Sequence, residues 1–356
     1  MNSIRLLDLG GVSYLRSQTI YHGVASAFSS STPATVIILY PKEPYVCIGF
    51  HQVLEKDVDL SACRRLKIPV LRREVGGGAV YLDSDQLFFQ LVFPIEQVPP
   101  RISDIYSLFL EAPARTYQRL GIPAFFRPTN DILVGERKIS GAGVAILERA
   151  VVVVGNIIFD FDYDVMSRVL NVPSEKFRDK VYHTLRQYVT SIKRELGRMF
   201  PREEVKKILI EEFQKVLGYR LEDGELSARE KDEIEMMDKK FQTPEWIAQK
   251  RVRHRNALKI TTGIEIAESM LKTPGGLIRA TLTTKKGYIE DLTLSGDFTI
   301  SPIDSLNRME GLLIGKDVRT SIWERDLERF YEEYVLDSPG LKAQDFILAI
   351  KKAANQ

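Results

Sequence analysis

Apolar residues recur along this chain with two periods, and the alternation between them predicts a mixed α/β polypeptide. Residues 4–9 (IRLLDL) read as a strand and 14–28 as a helix carrying Leu15, Ile20, Val24 and Phe28. Residues 35–40 and 45–48 predict a strand pair around a turn at 41–44, followed by a loop, Gly49-Phe50-His51-Gln52, and a helix over 57–66. Residues 68–71 and 86–93 (QLFFQLVF) read as buried strands, rich in β-branched and aromatic positions. A helix over 103–120 ends at Gly121, a strand follows at 124–126, and 144–161 gives two strands. The second of these, VVVVGNIIFDF, is apolar almost without interruption, as expected of a strand covered on both faces.

Helical spacing takes over further on. Residues 164–170 and 174–186 read as helices, and 201–217 has the clearest amphipathic pattern, with Val205, Ile208, Leu209, Phe213, Val216 and Leu217 on one face. Pro201 opens that helix and Gly218 closes it, so it is expected to seal a core. A charged helix over 225–240 shows only a thin seam of Ile234, Met237 and Phe241. Residues 242–256, with Thr243-Pro244 and the basic run 249–255, suit an exposed connector. Beyond it, strands at 277–283 and 287–295 and helices near 302–313, 324–335 and 341–353 describe a small α+β unit. The expected division is therefore 1–241, a linker at 242–256, and 257–356.

Composition narrows the class of protein without changing that picture. At 356 residues, with 44% hydrophobic and 28% charged positions, the chain can build two cores. A net charge of +2 gives no reason to expect nucleic acid or an anionic membrane as partner. Cys47 and Cys63 make no disulfide framework, the first residues lack a basic region followed by a long apolar run, and no apolar stretch reaches the ~20 residues of a membrane helix. A cytoplasmic location is expected.

The candidate chemistry lies in two segments. The first runs Arg72-Arg73-Glu74-Val75-Gly76-Gly77-Gly78-Ala79-Val80-Tyr81-Leu82-Asp83. Consecutive glycines between strands let main chain approach a ligand closely and present N–H groups, and flanking guanidiniums suit a phosphate or carboxylate. A wide hairpin corner is the plain structural alternative. The segment is neither a P-loop nor a dinucleotide fingerprint. The second segment, Asn130-Asp131-Ile132-Leu133-Val134-Gly135-Glu136-Arg137-Lys138-Ile139-Ser140-Gly141-Ala142-Gly143, reads as strand, turn at Gly135 and strand. Small residues beside Lys138 leave room for its ammonium to meet a ligand. His51, in a loop where the sheet is expected to end, is a further candidate contact.

Taken together, in this order and spacing and with the later Val189-Thr190-Ser191-Ile192-Lys193, these segments resemble the lipoate–protein ligase family. The resemblance covers about 6–217 and continues more weakly over about 276–318, similar to that family's C-terminal accessory domain. Biotin ligases share the fold, but their Gly-Arg-Gly-Arg loop is absent. The resemblance implies an α+β fold, a mixed-sheet catalytic domain like that of class II synthetases with a small α+β C-terminal domain. It implies two reactions: ATP activates lipoate or octanoate to an acyl-AMP, and a lysine of a lipoyl-domain or H-protein-like carrier then takes the acyl group.

Each step gathers negative charge that preorganised cations and donors stabilise. The resemblance implies Lys138 as the cation between acyl carbonyl and adenylate phosphate. The N–H groups of Gly76, Gly77 and Gly78 cradle oxygens, with Arg73 and Arg72 beside them. Tyr81 and Leu82 contact nucleotide or acyl chain, and Asp131 holds Mg²⁺ or orients Lys138. Ala79, Asp83, Asn130, Ser140, Gly141 and Gly155 complete the implied adenylate site, and Val75, Val80, Phe89 and Ala142 are candidate walls of an apolar acyl tunnel. In one place the chain departs from the pattern: Val154-Gly155 stands where many ligases carry His-Gly, with Asn156 as a candidate substitute. Two other readings stay open. One is an ATP-independent octanoyl or lipoyl transferase, which needs an activated cysteine that neither Cys47 nor Cys63 supplies by motif. The other is a non-catalytic adenylate- or carrier-binding protein.

Overall fold

The run QLFFQLVF lies in the middle of the molecule in the computed structural model, which describes residues 3–29, 32–171, 175–249, 264–335 and 337–355. In chain order the strands are β1 (Ser3–Val12), β2 (Thr35–Pro41), β3 (Tyr45–Ile48), β4 (Val70–Arg72), β5 (Val80–Leu82), β6 (Gln86–Pro94) and β7 (Phe125–Arg127). There follow β8 (Asp131–Val134), β9 (Arg137–Leu147), β10 (Ala150–Ile158), β11 (Arg220–Asp223), β12 (Ile264–Thr273), β13 (Gly276–Lys285) and β14 (Tyr288–Gly296). Eight of them form one mixed sheet in the order β11-β1-β2-β6-β10-β9-β8-β7.

The central strands are apolar throughout because both sheet faces are covered. Side chains alternate across β6. Leu87, Phe89, Leu91 and Phe93 pack on one face with helices Ile102–Arg119 and Arg202–Leu217, through Tyr106, Phe109, Leu209 and Phe213. Phe88 and Val92 face the other way, towards helices Arg16–Ser26 and Ala228–Phe241, with Ile20, Val24 and Ile234. The expected closing helix over 201–217 thus does cover a core face. The thin seam of the charged helix is its buried edge, Ile234 and Phe241 being fully enclosed.

Four local expectations need correction. Strands β2 and β3 do not pair: β2 lies between β1 and β6, whereas β3 is the centre of a separate three-stranded sheet, β4-β3-β5. β4 runs parallel to β3 and β5 antiparallel, on opposite edges, so the glycine run crosses over β3 and is not a hairpin corner. The helix expected over 57–66 is two, Leu54–Asp57 and Leu60–Leu66, the second capped by Asp59, whose carboxylate accepts from Ala62 N at 2.8 Å. Strands β11 and β12 had no counterpart in the sequence reading.

The C-terminal residues form a sheet, β12-β13-β14, backed by helices Ser305–Leu313, Ile322–Tyr334 and Ala343–Ala354. Its core gathers Phe298, Trp323, Leu327 and Phe346. This unit sits against the glycine-rich loop. Gly296 N donates to His51 O at 3.0 Å and Gly77 N to Phe298 O at 3.4 Å, and the His51 ring stacks on Phe298 with centroids 5.5 Å apart. His51 is therefore a contact between the two parts of the chain, 2% exposed. Of the expected connector, 244–248 forms a short helix whose Trp246 donates to Arg72 O at 2.9 Å; the basic run beyond Gln249 lies outside the described residues.

Candidate active site

Between the small sheet and the second face of the large one lies a cavity of about 260 Å³ with mainly apolar walls. Val80, Leu82, Phe88, Val154, Ile158 and Met166 supply much of that wall. The glycine loop roofs one side and the β8–β9 hairpin flanks the other. The loop's shape follows from its contacts. Arg73, 9% exposed, sends Nη2 to the carbonyls of Gly76 and Gly78, both at 2.9 Å, and Nη1 to Cys47 O at 3.2 Å. Gly77 takes φ +97°, which an L side chain rarely adopts, and a Cβ there would meet Arg73 Nη2 at 2.9 Å. The guanidinium expected to face a ligand phosphate thus also staples the loop from below while Phe298 O caps it from above.

At the root of the loop, Glu74 meets His22 Nδ1 at 3.3 Å and Lys240 Nζ at 2.6 Å. Burial alone would raise the Glu74 carboxyl, but its close contacts with His22 and the Lys240 ammonium outweigh it and hold the group at about 2. Helices Arg16–Ser26 and Ala228–Phe241 are thereby both brought against the root of the loop.

Lys138 is presented differently. Its Nζ lies 2.6 Å from Asp131 Oδ1, across the β8–β9 turn, and the side chain remains 40% exposed at the cavity mouth. The backbone beneath it is fixed by Thr190 N, which donates to Lys138 O at 2.8 Å, in a bridge between Lys138 and Val189. Asn130 Nδ2 donates to Ala142 O at 2.7 Å and Ala142 N to Asn130 O at 3.1 Å, which braces the same hairpin. Asn156 links two strands of the floor: Oδ1 accepts from Gly141 N at 3.3 Å and Nδ2 donates to Gln86 Oε1 at 2.7 Å. Gly155 has a packing reason of its own, since a Cβ would sit 2.2 Å from the Phe89 ring.

Of the expected site residues, Arg73, Gly76, Gly77, Gly78, Val80, Tyr81, Leu82, Asn130, Lys138, Gly141, Ala142 and Gly155 line the cavity. Arg72, Val75, Ala79, Asp83, Asp131 and Ser140 do not. Arg72 is fully buried on the far side of β4, where its guanidinium donates to the carbonyls of Gly49, Phe50, Gln52 and Ile247. Alternation along the strand puts adjacent arginines on opposite faces. Val75 packs under Gly143, and Ser140 Oγ donates to Asn156 O at 2.6 Å, so both support the site from behind. Burial, reinforced by nearby Asp85 and Asp162, raises the Asp83 carboxyl to about 6, beyond the cavity rim. Phe89, expected as a tunnel wall, belongs to the opposite core.

Asp131 pairs with Lys138 and also lies 3.3 Å from Arg127 Nη2. Among the described residues no group of three or more His, Cys, Asp or Glu side chains converges as a metal cage. A Mg²⁺ carried in with ATP needs only one or two carboxylates beside the phosphates, and Asp131 is the carboxylate at hand.

Sequence reasoning passed over Gln18, Cys47, Gln86 and Gln90, all cavity-lining and nearly buried. The signal was present for two of them: Gln86 and Gln90 interrupt an otherwise apolar strand at even spacing, on one face. Cys47 corrects the expectation that neither cysteine lies beside the site. Burial pushes its thiol up, with Arg73 pulling only partly the other way.

Residues 15–214 match the family model described as the lipoyl protein ligase A/B catalytic domain. Lipoate-protein ligase A subunit 1 of Thermoplasma acidophilum is 32% identical over 222 residues, 59% of this chain and 83% of that protein. Octanoyltransferase LipM of Kyrpidia tusciae is 27% identical over 272 residues, 69% of this chain and 98% of that protein. Among solved structures, the bipartite lipoate protein ligase of T. acidophilum, studied with its E2 lipoyl domain, superposes with a TM-score of 0.64 at 30% identity, covering 70% of this chain and 97% of that one. A lipoate-protein ligase A bound with ATP gives 0.60 at 26% identity, over 69% and 98%. LipL1 of P. falciparum, in complex with lipoate, gives 0.70 at 15% identity over 94% and 95%, a likeness of fold that extends through the C-terminal part.

Proposed function

This chain belongs to the lipoyl protein ligase A/B catalytic family, and from that premise we propose that it activates lipoate or octanoate with ATP and passes the acyl group to a lysine of a lipoyl-carrier protein. The observation that carries this reading is the placement of Lys138: a cation oriented by Asp131 at the mouth of an apolar cavity, opposite a glycine loop already held in shape. Relatives named as ligases, and the solved ligase bound with ATP, support the choice of reaction.

The acyl chain enters the cavity and leaves its carboxylate at Lys138. The carboxylate attacks the α-phosphate of ATP; the bond from that phosphorus to the bridging oxygen breaks, and pyrophosphate leaves. The Lys138 ammonium offsets charge on the phosphate oxygens in this step and on the acyl oxygen in the next. In the second step the neutral amine of the acceptor lysine attacks the mixed anhydride, loses a proton and expels AMP. Arg73 and the amides of Gly76–Gly78 hold the roof against which both groups are placed. The Mg²⁺ that accompanies ATP is bound chiefly by the phosphates, and no protein step is routed through it.

The catalytic unit is proposed as 1–241, with 257–356 as an accessory domain reached through 242–256. The carrier is an E2-type lipoyl domain or an H-protein-like protein, in line with the E2 lipoyl domain studied beside the Thermoplasma ligase.

A second reading has an observation of its own. Cys47 lines the cavity, and a relative is an octanoyltransferase, so ATP-independent transfer through a thioester is the rival. Burial raises the Cys47 thiol, which opposes the thiolate that route needs. Incubation with lipoate and a lipoyl domain, with and without ATP, separates the two. Acceptor mass shift and pyrophosphate release that both require ATP support ligation. Equal transfer without ATP from an acyl-carrier donor overturns it.

A further inference from the structure

We infer that the buried end of the cavity selects acids carrying a hydrogen-bond donor at the far end of their chain, taking dihydrolipoate ahead of octanoate; this rests on the reading of the cavity as an acyl site.

The inference starts from Gln90. It projects from the middle of β6 into the cavity and is 1% exposed. Its orientation is fixed by a neighbour: Nε2 donates to Ser17 O at 2.6 Å, and a carbonyl oxygen accepts but cannot donate. The amide cannot be flipped without losing that bond. Oε1 is therefore left as an acceptor, enclosed and without a hydrogen-bond partner among the described residues. The neighbouring Gln18 does not relieve it: its amide is engaged with Tyr45 OH at 2.6 Å and Tyr21 OH at 3.1 Å, and its second N–H makes no bond to Gln90 Oε1. A buried acceptor left unmade is costly, and the group that completes it gains what the empty site lacks.

Its position matches the far end of an acyl chain. Lys138 Nζ lies 2.9 Å from where a Cβ on Gly141 would stand, so the ammonium rests over Gly141. Gln90 pairs with Val154, which pairs with Gly143, two residues further along β9 and two strands across. Strand rise and spacing then separate the ammonium from the Gln90 row by on the order of 12 Å. An extended eight-carbon acid with its carboxylate at Lys138 reaches this row with its last carbons.

Three such acids present different ends to Gln90 Oε1. Octanoate ends in a methyl group and leaves the acceptor unmade. The dithiolane of lipoate offers sulfur without a hydrogen. Dihydrolipoate offers S–H, a weak donor but the kind that is missing. An ω-hydroxy acid offers a stronger one. Ranking by this end is a property of the substrate pocket alone and needs no activation step.

The test is calorimetric titration of the full chain with octanoate, lipoate, dihydrolipoate under a non-thiol reductant, and 8-hydroxyoctanoate. Dihydrolipoate and 8-hydroxyoctanoate are expected to bind roughly three- to tenfold more tightly than octanoate. Gln90→Met, which keeps the side-chain length and removes the acceptor, is expected to erase that ranking, so that dihydrolipoate and 8-hydroxyoctanoate lose their advantage over octanoate. Equal affinities across the four acids in the unmodified chain overturn the inference without recourse to the variant, and so does a ranking that survives in Gln90→Met. A chain that ranks the acids yet releases no pyrophosphate overturns ATP-dependent activation and leaves the selectivity standing. Pyrophosphate release at equal KM for all four acids does the reverse.

Discussion

The glycine-rich loop and the Lys138 hairpin face each other across one cavity but are built by opposite means. The hairpin is local. Asp131, Asn130 and Ala142 all lie within a dozen residues of Lys138, and the more distant supports are Asn156 beneath Gly141 and the bridge to Val189. The loop is held from afar: by Cys47 O through Arg73, by His22 and Lys240 through Glu74, and by Phe298 from the C-terminal unit. The hairpin presents a half-exposed charge ready for use, whereas the loop presents backbone whose shape depends on residues more than 200 positions away. Chemistry carried by a charge needs only a turn and one counter-ion. Chemistry carried by backbone geometry needs a whole fold around it.

The strongest way to break this contrast is to remove the charge. Lys138→Ala is expected to lose more than about 3 kcal/mol of transition-state stabilisation, the scale of one oxyanion donor, which is over a hundredfold in kcat/KM. The melting temperature should stay close to that of the parent, because the side chain is 40% exposed and packs little. Near-normal ligation by a folded Lys138→Ala protein would remove the hairpin from the mechanism.

Gly77→Val probes the other side. At φ +97° a β-branched residue is strained, and its Cβ would press on the Arg73 guanidinium. Strain of about 1–3 kcal/mol is expected to open the loop and weaken acid and ATP binding by roughly tenfold or more. Unlike Lys138→Ala, this variant should lose thermal stability as well. Titrations showing unchanged affinity in a folded variant would make the loop a passive crossover.

How much of each region could be read beforehand follows the same division. The hairpin, its turn at Gly135 and the Lys138–Asp131 pairing were legible because they are contiguous. The glycine run was legible as a motif, but its crossing over β3 was not, since nothing local says that 45–48 leaves the large sheet. Arg72 and Arg73 look alike in sequence and separate only once β4 has a buried far side occupied by Gly49, Gln52 and Ile247. Gln90 was hidden inside a run correctly read as a buried strand, where an even-spaced glutamine was the unused clue. Strand β11 pairs with β1 across some 200 residues, and that kind of contact leaves no local periodicity.

Acid should distinguish the two regions without mutation. Glu74 is held at about 2 against an ordinary 4.5, so the folded state favours its charged form. The stability it contributes is present above pH 4.5 and falls away as pH drops from there towards 2. At 1.36 kcal/mol per unit the whole span bounds the effect at about 3 kcal/mol, of which about 2 kcal/mol falls between pH 4.5 and 3. Denaturant midpoints measured from pH 6 down to 3 should decline more steeply for the parent than for Glu74→Gln. Parallel slopes would mean that the carboxylate does not anchor the loop.

The smallest effect lies at the rim where the C-terminal unit meets the rest. Lys56 pairs with Glu268, and Arg279 lies 3.6 Å from Asp57 and 3.7 Å from Glu268, a cluster joining the helix Leu54–Asp57 to β12 and β13. Partly exposed pairs of this kind contribute at most about 1 kcal/mol and weaken with salt. The backbone bond from Gly77 N to Phe298 O lies further in and depends on the same docking. In Glu268→Gln, hydrogen exchange at the amides of the glycine loop is expected to quicken by a few-fold at most, and exchange at Ile132 and Ile139 of the hairpin to stay unchanged. Raising the salt concentration on the parent chain should reproduce part of the loop effect and none at the hairpin. If both regions quicken together, the C-terminal unit stiffens the whole sheet and the contrast between a locally built charge and a remotely built loop fails.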